Sequence, residues 1–240
     1  MMVPYQEWLH YLIFFSQPVT FKTEHVWAAQ SRGLIDFGNR VVAESVVADA
    51  EVEAIKSYYT SRPFRWFVDE RDHAQIATLE RQGFYCAGAQ SAMYLTLGSL
   101  AQTAYPHDLA LKEVDSSEER AIWMAVVAEN SHMHPVELAA IMQDVEGSPA
   151  GLVHLYLGIY NSIPVATALV LERGDTVTIH MVNTLEEYRG RGIGYAIVCH
   201  ALMAMQEKGR QSAILSASGA GKSLYEKIGF KEYAVYRKYK

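Results

Sequence analysis

At 240 residues the chain has room for one large domain or two small ones, at roughly 150 residues per domain. Half the residues are hydrophobic and a fifth are charged, a globular balance that excludes a disordered chain. A formal charge of −6 argues against a nucleic-acid binder, which carries a basic face. The two cysteines, Cys86 and Cys199, supply neither a disulfide framework nor a zinc site, and they suit a reducing cytosol.

Residues 5–16 place Trp8, Tyr11, Leu12 and Phe15 at i, i+3, i+4 and i+7, the stripe of a core helix. The apolar run Leu9 to Phe15 is too short to span a bilayer, and no basic residue precedes it. No other run reaches membrane length, so the expectation is a soluble, cytoplasmic protein without membrane or nucleic-acid partners. Residues 19–48 read as two or three short strands, punctuated at Gly33 and Gly38-Asn39. Asp49 is placed to cap a helix through about Thr60, with Val52, Ile55 and Tyr59 on one side. Phe64 to Val68 reads as an aromatic strand after Pro63. A helix from Asp72 to Gln82 ends at Gly83, and Phe84 to Leu97 returns to strand.

Gly98 to Asp108 lacks periodicity and marks a boundary between a domain over 1–100 and another over 107–240. Leu109 to Val114 is a strand. Asp115/Glu118 and Ser116/Glu119 then offer overlapping capping boxes for a helix to about Glu129. Pro135 opens a second helix, ending by Gly147. Strands over 152–160, 165–172 and 176–184 are separated by the turns Asn161-Ser162 and Gly174-Asp175, which makes an antiparallel meander. A helix with Ile193, Ile197, Ala201 and Ala204 on one side ends at Gly209. A buried strand over 213–216, a helix over 224–228 closed by Gly229, and a strand over 230–239 complete the chain. The second half therefore reads as an α/β fold, a mixed sheet with helices on both faces.

One stretch organises this half: Val182-Asn183-Thr184, then Arg189-Gly190-Arg191-Gly192-Ile193-Gly194, at a strand-to-helix junction. Glycine lets a ligand approach the backbone. A helix N-terminus offers unpaired N–H groups and a positive dipole end. Together they form an anion cradle, most naturally for a pyrophosphate, with forked donors added by two arginines.

The order of elements with these motifs resembles the GNAT superfamily of N-acetyltransferases. Three segments carry the resemblance. Tyr156-Leu157-Gly158-Ile159-Tyr160 through Pro164-Val165-Ala166-Thr167 is similar to the family's second and third strands. Arg189-Gly190-Arg191-Gly192-Ile193-Gly194 matches its acetyl-CoA signature, (Gln or Arg)-x-x-Gly-x-(Gly or Ala). Ala217-Ser218, Gly221 and Leu224-Tyr225-Glu226-Lys227-Ile228-Gly229-Phe230 resemble its late strand, helix and Gly-Phe turn. The match covers about 109–240. Leu79-Glu80-Arg81-Gln82-Gly83-Phe84 echoes residues 225–230, which makes the N-terminal half a degenerate or partial GNAT-like unit. It has no Arg-x-x-Gly-x-Gly, so no CoA site is expected there.

The resemblance implies an acyl-CoA N-acyltransferase fold and acetyl transfer from acetyl-CoA, as co-substrate, to a primary amine by direct attack in a ternary complex. It implies a cradle of Arg189, Gly190, Arg191, Gly192, Ile193, Gly194 and Tyr195 for the pyrophosphate. It further implies a splayed strand end at Met181, Val182 and Asn183 for the pantetheine arm, where a backbone N–H would meet the oxyanion. Tyr225 matches the family position that protonates the departing thiolate. The family's usual glutamate base falls near Thr178, which cannot serve. His180, two residues on and on the same face, is the candidate base, with a water-mediated route beside it. No metal is expected. Partners are a small-molecule or peptide amine, with a monomer or homodimer as the assembly. The missing glutamate keeps open a non-catalytic acyl-CoA-binding module. Ser216 to Ser223 is one residue short of a P-loop, but fewer than 20 residues follow it, too few for a nucleotide-hydrolysing sheet. His132 and His134 are candidates for the acceptor side.

Overall fold

The computed structural model describes residues 20–30, 39–60, 62–100, 105–131, 133 and 135–240. The expected helix over 5–16 and the pair His132 and His134 lie outside the described residues. The chain forms two compact units, one of residues up to Ala92 with Glu232–Lys240, the other of Met93–Lys231. The fold is mixed α/β, with antiparallel and parallel strand pairs and helices between them.

In the first unit β1 (Phe21–Lys22), β2 (Val26–Ala29) and β3 (Arg40–Ala43) form an antiparallel meander. Helix α1 (Asp49–Tyr59) follows and buries Val52, Ile55 and Tyr59, the side that the sequence periodicity selects. The Tyr59 hydroxyl donates to the carbonyls of Ala29 at 2.5 Å and Arg40 at 3.0 Å, which ties the helix to β2 and β3. Asp49 is not the cap; Ala48 is, and its N–H donates to the Glu51 carboxylate at 3.1 Å. Asp49 sits one residue inside the helix, where its carboxylate meets Arg81 at 2.7 Å. Strand β4 (Arg65–Asp69) runs parallel to β3. Helix α2 (His73–Arg81) is capped by Asp72, whose carboxylate accepts from the Gln75 N–H at 3.0 Å. Strand β5 (Cys86–Thr96) begins in this unit.

The last strand, β11 (Lys231–Tyr239), lies antiparallel along β4, with Tyr236 opposite Asp69 and Tyr239 opposite Trp66. The structural division therefore differs from a cut in the loop at 98–108. It falls inside β5, and the end of the chain completes the first unit. The pairing with β4 and the full burial of Tyr239 among Trp66, Tyr59 and Leu79 are the physical reason.

In the second unit β6 (Leu109–Glu113) leads into α3 (Ser117–Ser131) and α4 (Pro135–Glu146). Ser116 caps α3 by accepting from the Glu119 N–H at 3.2 Å, and the Glu119 carboxylate takes the Asp115 N–H at 3.1 Å. The Ser116/Glu119 box thus forms with its return bond shifted by one residue. Strands β7 (Val153–Tyr160), β8 (Ile163–Arg173) and β9 (Thr176–Thr184) form the antiparallel meander, and β6 pairs antiparallel with β7. Helix α5 (Ile193–Glu207) is buried on more than the side chosen from the sequence, with Ala196, Val198, Leu202 and Met205 added to Ile193, Ile197 and Ala201. Strand β10 (Ser212–Ala217) runs parallel to β9, and α6 (Lys222–Ile228) follows.

The two units share a plan: meander, helix, parallel strand, helix, strand. The sequence echo has a backbone counterpart. The Phe84 N–H reaches the Leu79 carbonyl at 3.0 Å and the Phe230 N–H reaches the Tyr225 carbonyl at 2.9 Å. Gly83 at φ 88° and Gly229 at φ 110° make the left-handed turn that both closures need.

Replacing Tyr239 by Ala is predicted to cost about 3–5 kcal/mol, the range for truncating a buried aromatic ring. A lower urea midpoint with Trp66 fluorescence as probe would show it. An unchanged midpoint would mean that the penultimate residue does not anchor the first unit.

Candidate active site

The antiparallel β8–β9 pair shifts register at one place. Thr167 faces Asn183 and Leu169 faces His180, so Met181 and Val182 together oppose Ala168. This is a β-bulge on β9. Met181 takes φ 48°, the left-handed region that a side chain rarely enters. Its carbonyl is held there by the Thr167 hydroxyl at 2.9 Å and the Asn183 amide at 3.1 Å.

On its other side β9 loses its neighbour. Pairing with β10 runs from Thr176↔Ser212 to Ile179↔Leu215 and stops, although β9 continues to Thr184 and β10 to Ala217. The strand end at Met181, Val182 and Asn183 is thus open on the β10 side. All peptide bonds are trans among the described residues. In a trans peptide the C=O and the following N–H point oppositely. With the Met181 carbonyl turned towards β8, the Val182 N–H is turned towards the opening.

The glycine stretch follows β9 through a short 3-10 turn, Glu186–Tyr188. Gly190 at φ 75° and Gly192 at φ 77° carry the chain into α5. Gly192 is the N-cap, and the first helical bond runs from the Ala196 N–H to its carbonyl at 2.9 Å. The N–H groups of Gly192, Ile193, Gly194 and Tyr195 therefore have no carbonyl within the helix to bond. A Cβ on Gly194 would lie 3.3 Å from Thr184 Oγ1, so this glycine lets the helix start close against the end of β9.

The two arginines differ. Arg189, though exposed, is tied to its neighbours: its Nε donates to the Thr184 carbonyl at 3.1 Å and its guanidinium to Asn130 Oδ1 at 2.5 Å. Arg191 lies across two rings, 5.7 Å from the Tyr160 centroid and 5.8 Å from that of Tyr188, within cation–π range. Among the described residues neither has an acidic partner. Two uncompensated positive charges thus stand beside the free end of a helix. The first unit does the reverse at the equivalent place. The α1 N-terminus carries Asp49 and Glu51 in its first turn, and side chains of Glu51 and Gln75 take the N–H groups of Ala48 and Val47.

Tyr225 is buried in the core that also holds Ile179, Ile197 and Phe230. Burial alone pushes its phenol up to about 12. Its ring depends on Gly221, where a Cβ would lie 3.3 Å from Tyr225 Cε2. His180 bonds Thr178 Oγ1 at 2.8 Å through Nε2, which fits two residues on one face of the strand. Ile179 packs in the Tyr225 core, so His180 and Tyr225 belong to opposite faces of β9. Glu186 and Glu187 are exposed. The P-loop-like segment closes on itself, since the Ser218 carbonyl takes the N–H groups of Gly221 at 3.0 Å and Lys222 at 3.1 Å. Among the described residues no cluster of three or more His, Cys, Asp or Glu could hold a metal.

Sequence reasoning gives no site role to Thr167, Asn130, Tyr160, Tyr188 or Gly221. Thr167 holds the Met181 carbonyl, Asn130 holds Arg189, Tyr160 and Tyr188 lie beside Arg191, and Gly221 leaves room for Tyr225.

The acid-base consequence is testable on stability. Below about pH 10 Tyr225 is protonated both folded and unfolded and makes no difference. Above that the unfolded chain loses the proton first, so stability falls as pH rises towards the folded value. At about pH 11 the loss is about 1.4 kcal/mol. Urea unfolding at about pH 8 and about pH 11 should show a smaller alkaline loss in Tyr225→Phe than in wild type. Equal losses would show that the phenol is solvated.

Residues 152–232 match the family model described as an acetyltransferase (GNAT) domain. No curated protein sequence matches the chain. Several solved structures share the fold. A GCN5-related N-acetyltransferase from Kribbella flavida is 17% identical, with a TM-score of 0.77 over 98% of this chain and 92% of that one. Another from Sphaerobacter thermophilus is 15% identical, with a TM-score of 0.73 over 90% and 76%. A functionally unknown conserved protein from Staphylococcus epidermidis is 12% identical, with a TM-score of 0.74 over 99% and 96%. At these identities the structures establish the fold alone.

Proposed function

We propose that this chain, a member of the GNAT acetyltransferase superfamily through its residues 152–232, moves an acetyl group from acetyl-CoA to a primary amine. One observation carries the reading. The glycine turn with its free N–H groups stands at the end of the same strand whose pairing with β10 lapses after Ile179. A diphosphate cradle and an open strand end are thereby adjacent, as a long donor with a charged head and an amide-rich arm requires.

Acetyl-CoA supplies the activated thioester. The N–H groups of residues 192–195, with Arg189 and Arg191, hold the diphosphate. The open end of β9 at 181–183 aligns the arm. The Val182 N–H is aimed where negative charge develops on the carbonyl oxygen. The amine lone pair attacks the thioester carbon, and the carbon–sulfur bond breaks as the oxyanion collapses. Tyr225 gives its proton to the leaving sulfur. The nitrogen loses its extra proton to His180, directly or through water, and the phenol regains one from solvent. The products are the amide and free CoA. A phenol held protonated by burial suits the acid role across the physiological range.

The acceptor is a small-molecule or peptide amine, bound by a monomer or a homodimer. A cytoplasmic setting is part of the same proposal. It is supported by the free thiols of Cys86 and Cys199. Among the described residues, no helix is long and apolar enough to cross a membrane.

CoA at about 100 times its dissociation constant should stabilise the protein by about 2.7 kcal/mol, seen as a rise in Tm. A folded protein with no shift would sink the donor site. With an amine that turns over, Tyr225→Phe should lower kcat about 100-fold or more. Unchanged turnover at both low and high pH would remove Tyr225 from the proton step. CoA binding with no thiol release from acetyl-CoA across an amine panel would favour a binding module.

A further inference from the structure

We propose that Asn130, in the last turn of α3, is a positioning residue that transmits the charge of Arg189 to the Val182 N–H. The proposal rests on the donor-site reading above. Its basis is the direction of each hydrogen bond in one chain of side chains.

Arginine only donates. The Asn130 atom that meets the Arg189 guanidinium at 2.5 Å must therefore be Oδ1. The Asn130 amino group then faces Asn183, and the atom that meets it at 2.9 Å must be the Asn183 oxygen. The Asn183 amino group in turn donates to the Met181 carbonyl at 3.1 Å, with a second contact to Thr167 Oγ1 at 3.2 Å. Thr167 Oγ1 also donates to the Met181 carbonyl, at 2.9 Å. One arginine thus fixes the orientation of both amides, and every bond points the same way, from Arg189 to the carbonyl of the bulge.

Bonds aligned in series polarise one another. A carbonyl that accepts two of them draws electron density from its own peptide nitrogen. The N–H at the far end of that peptide belongs to Val182 and becomes a better donor. The residue held at φ 48° is Met181, so the same bonds that fix the bulge also sharpen this N–H. Asn130 is the one link on α3. It joins the turn that holds the diphosphate to the bulge that meets the thioester.

The test reads the bound thioester directly, without an acceptor. The probe is acetyl-CoA carrying ¹³C at the thioester carbonyl, and the observable is its infrared stretch at saturation. Wild type should lower the frequency relative to free acetyl-CoA. Asn130→Leu, close in shape and unable to bond either neighbour, should return it towards the free value. It should also lower kcat about tenfold, the worth of one such interaction. Asn130→Asp keeps an acceptor for Arg189 but offers no donor to Asn183, and should lose the frequency shift as well. Asn183→Leu should do the same, and the double variant Asn130→Leu with Asn183→Leu should be no worse than either single one. A merely structural asparagine would change affinity or Tm and leave the bound stretch where wild type puts it; that result, or additive losses in the double variant, overturns the relay. If Asn130→Leu does not fold, the stretch in Asn183→Leu decides the matter alone. Wild type that fails to bind CoA would instead take down the donor site, and the relay with it.

Discussion

The site depends on a loss of pairing. A strand that parts from its neighbour leaves backbone groups that must find other partners, because a buried N–H or C=O left unmade is costly. β9 meets this demand asymmetrically. The Met181 carbonyl is taken by Thr167 and Asn183, and the Thr184 carbonyl by Arg189. The chain satisfies these acceptors itself and turns the Val182 N–H to the opening. At the next junction Gly192 starts a helix whose first N–H groups have no helical partner. Donors are left over at both places. The complementary ligand is rich in acceptors and negatively charged, with its acceptors spaced from a strand end to a helix start.

The two units show how little of this lies in topology. Both pass from a meander through a helix to a parallel strand, and both close the following helix, α2 or α6, on glycine. Helices α1 and α5 differ at the N-terminus. In the first unit carboxylates occupy the opening turn, and side chains take N–H groups that a ligand would need. In the second, glycines leave the turn bare and the nearby charges are positive. Negative side chains offset the positive dipole end at one, and positive side chains add to it at the other. A few residues at a single turn set the sign of the charge there.

Much of the fold was legible because helices and strands imprint different periods. The strand at 176–184 and the cap at Asp72 stand where the pattern put them. The cap at Asp49 did not, because Ala48 with the Glu51 carboxylate does the same work one residue earlier. The placement of β11 was not legible either. No local pattern tells a strand which partner it will choose, and only the pairing with β4 assigns the end of the chain to the first unit. A polar cluster around the buried His154 and Glu172 was also invisible. His154 contacts Glu113 at 2.5 Å and Glu172 at 2.6 Å, and Glu172 contacts Arg210 at 2.5 Å, from four separate segments. Of the candidate site, the glycine turn could be read because its form is local, and Tyr225 was singled out only by resemblance. Asn130 and Thr167 could not, because their roles exist only across the bulge.

That difference explains a feature of Arg189 that the signature alone conceals. Read as a motif residue, it is a charge for a phosphate. In the fold two of its five N–H groups go to Thr184 and Asn130, so a ligand meets the charge and the remaining donors on a side chain already held in place. A charge tied down in this way loses little side-chain entropy when an anion arrives. It is also in place before the anion comes, as a preorganised electrostatic site requires. The cost is borne by Asn130, whose amide can serve Arg189 and Asn183 in one orientation only. A single neutral side chain on α3 thereby fixes both the position of the cradle's charge and the shape of the strand end beside it.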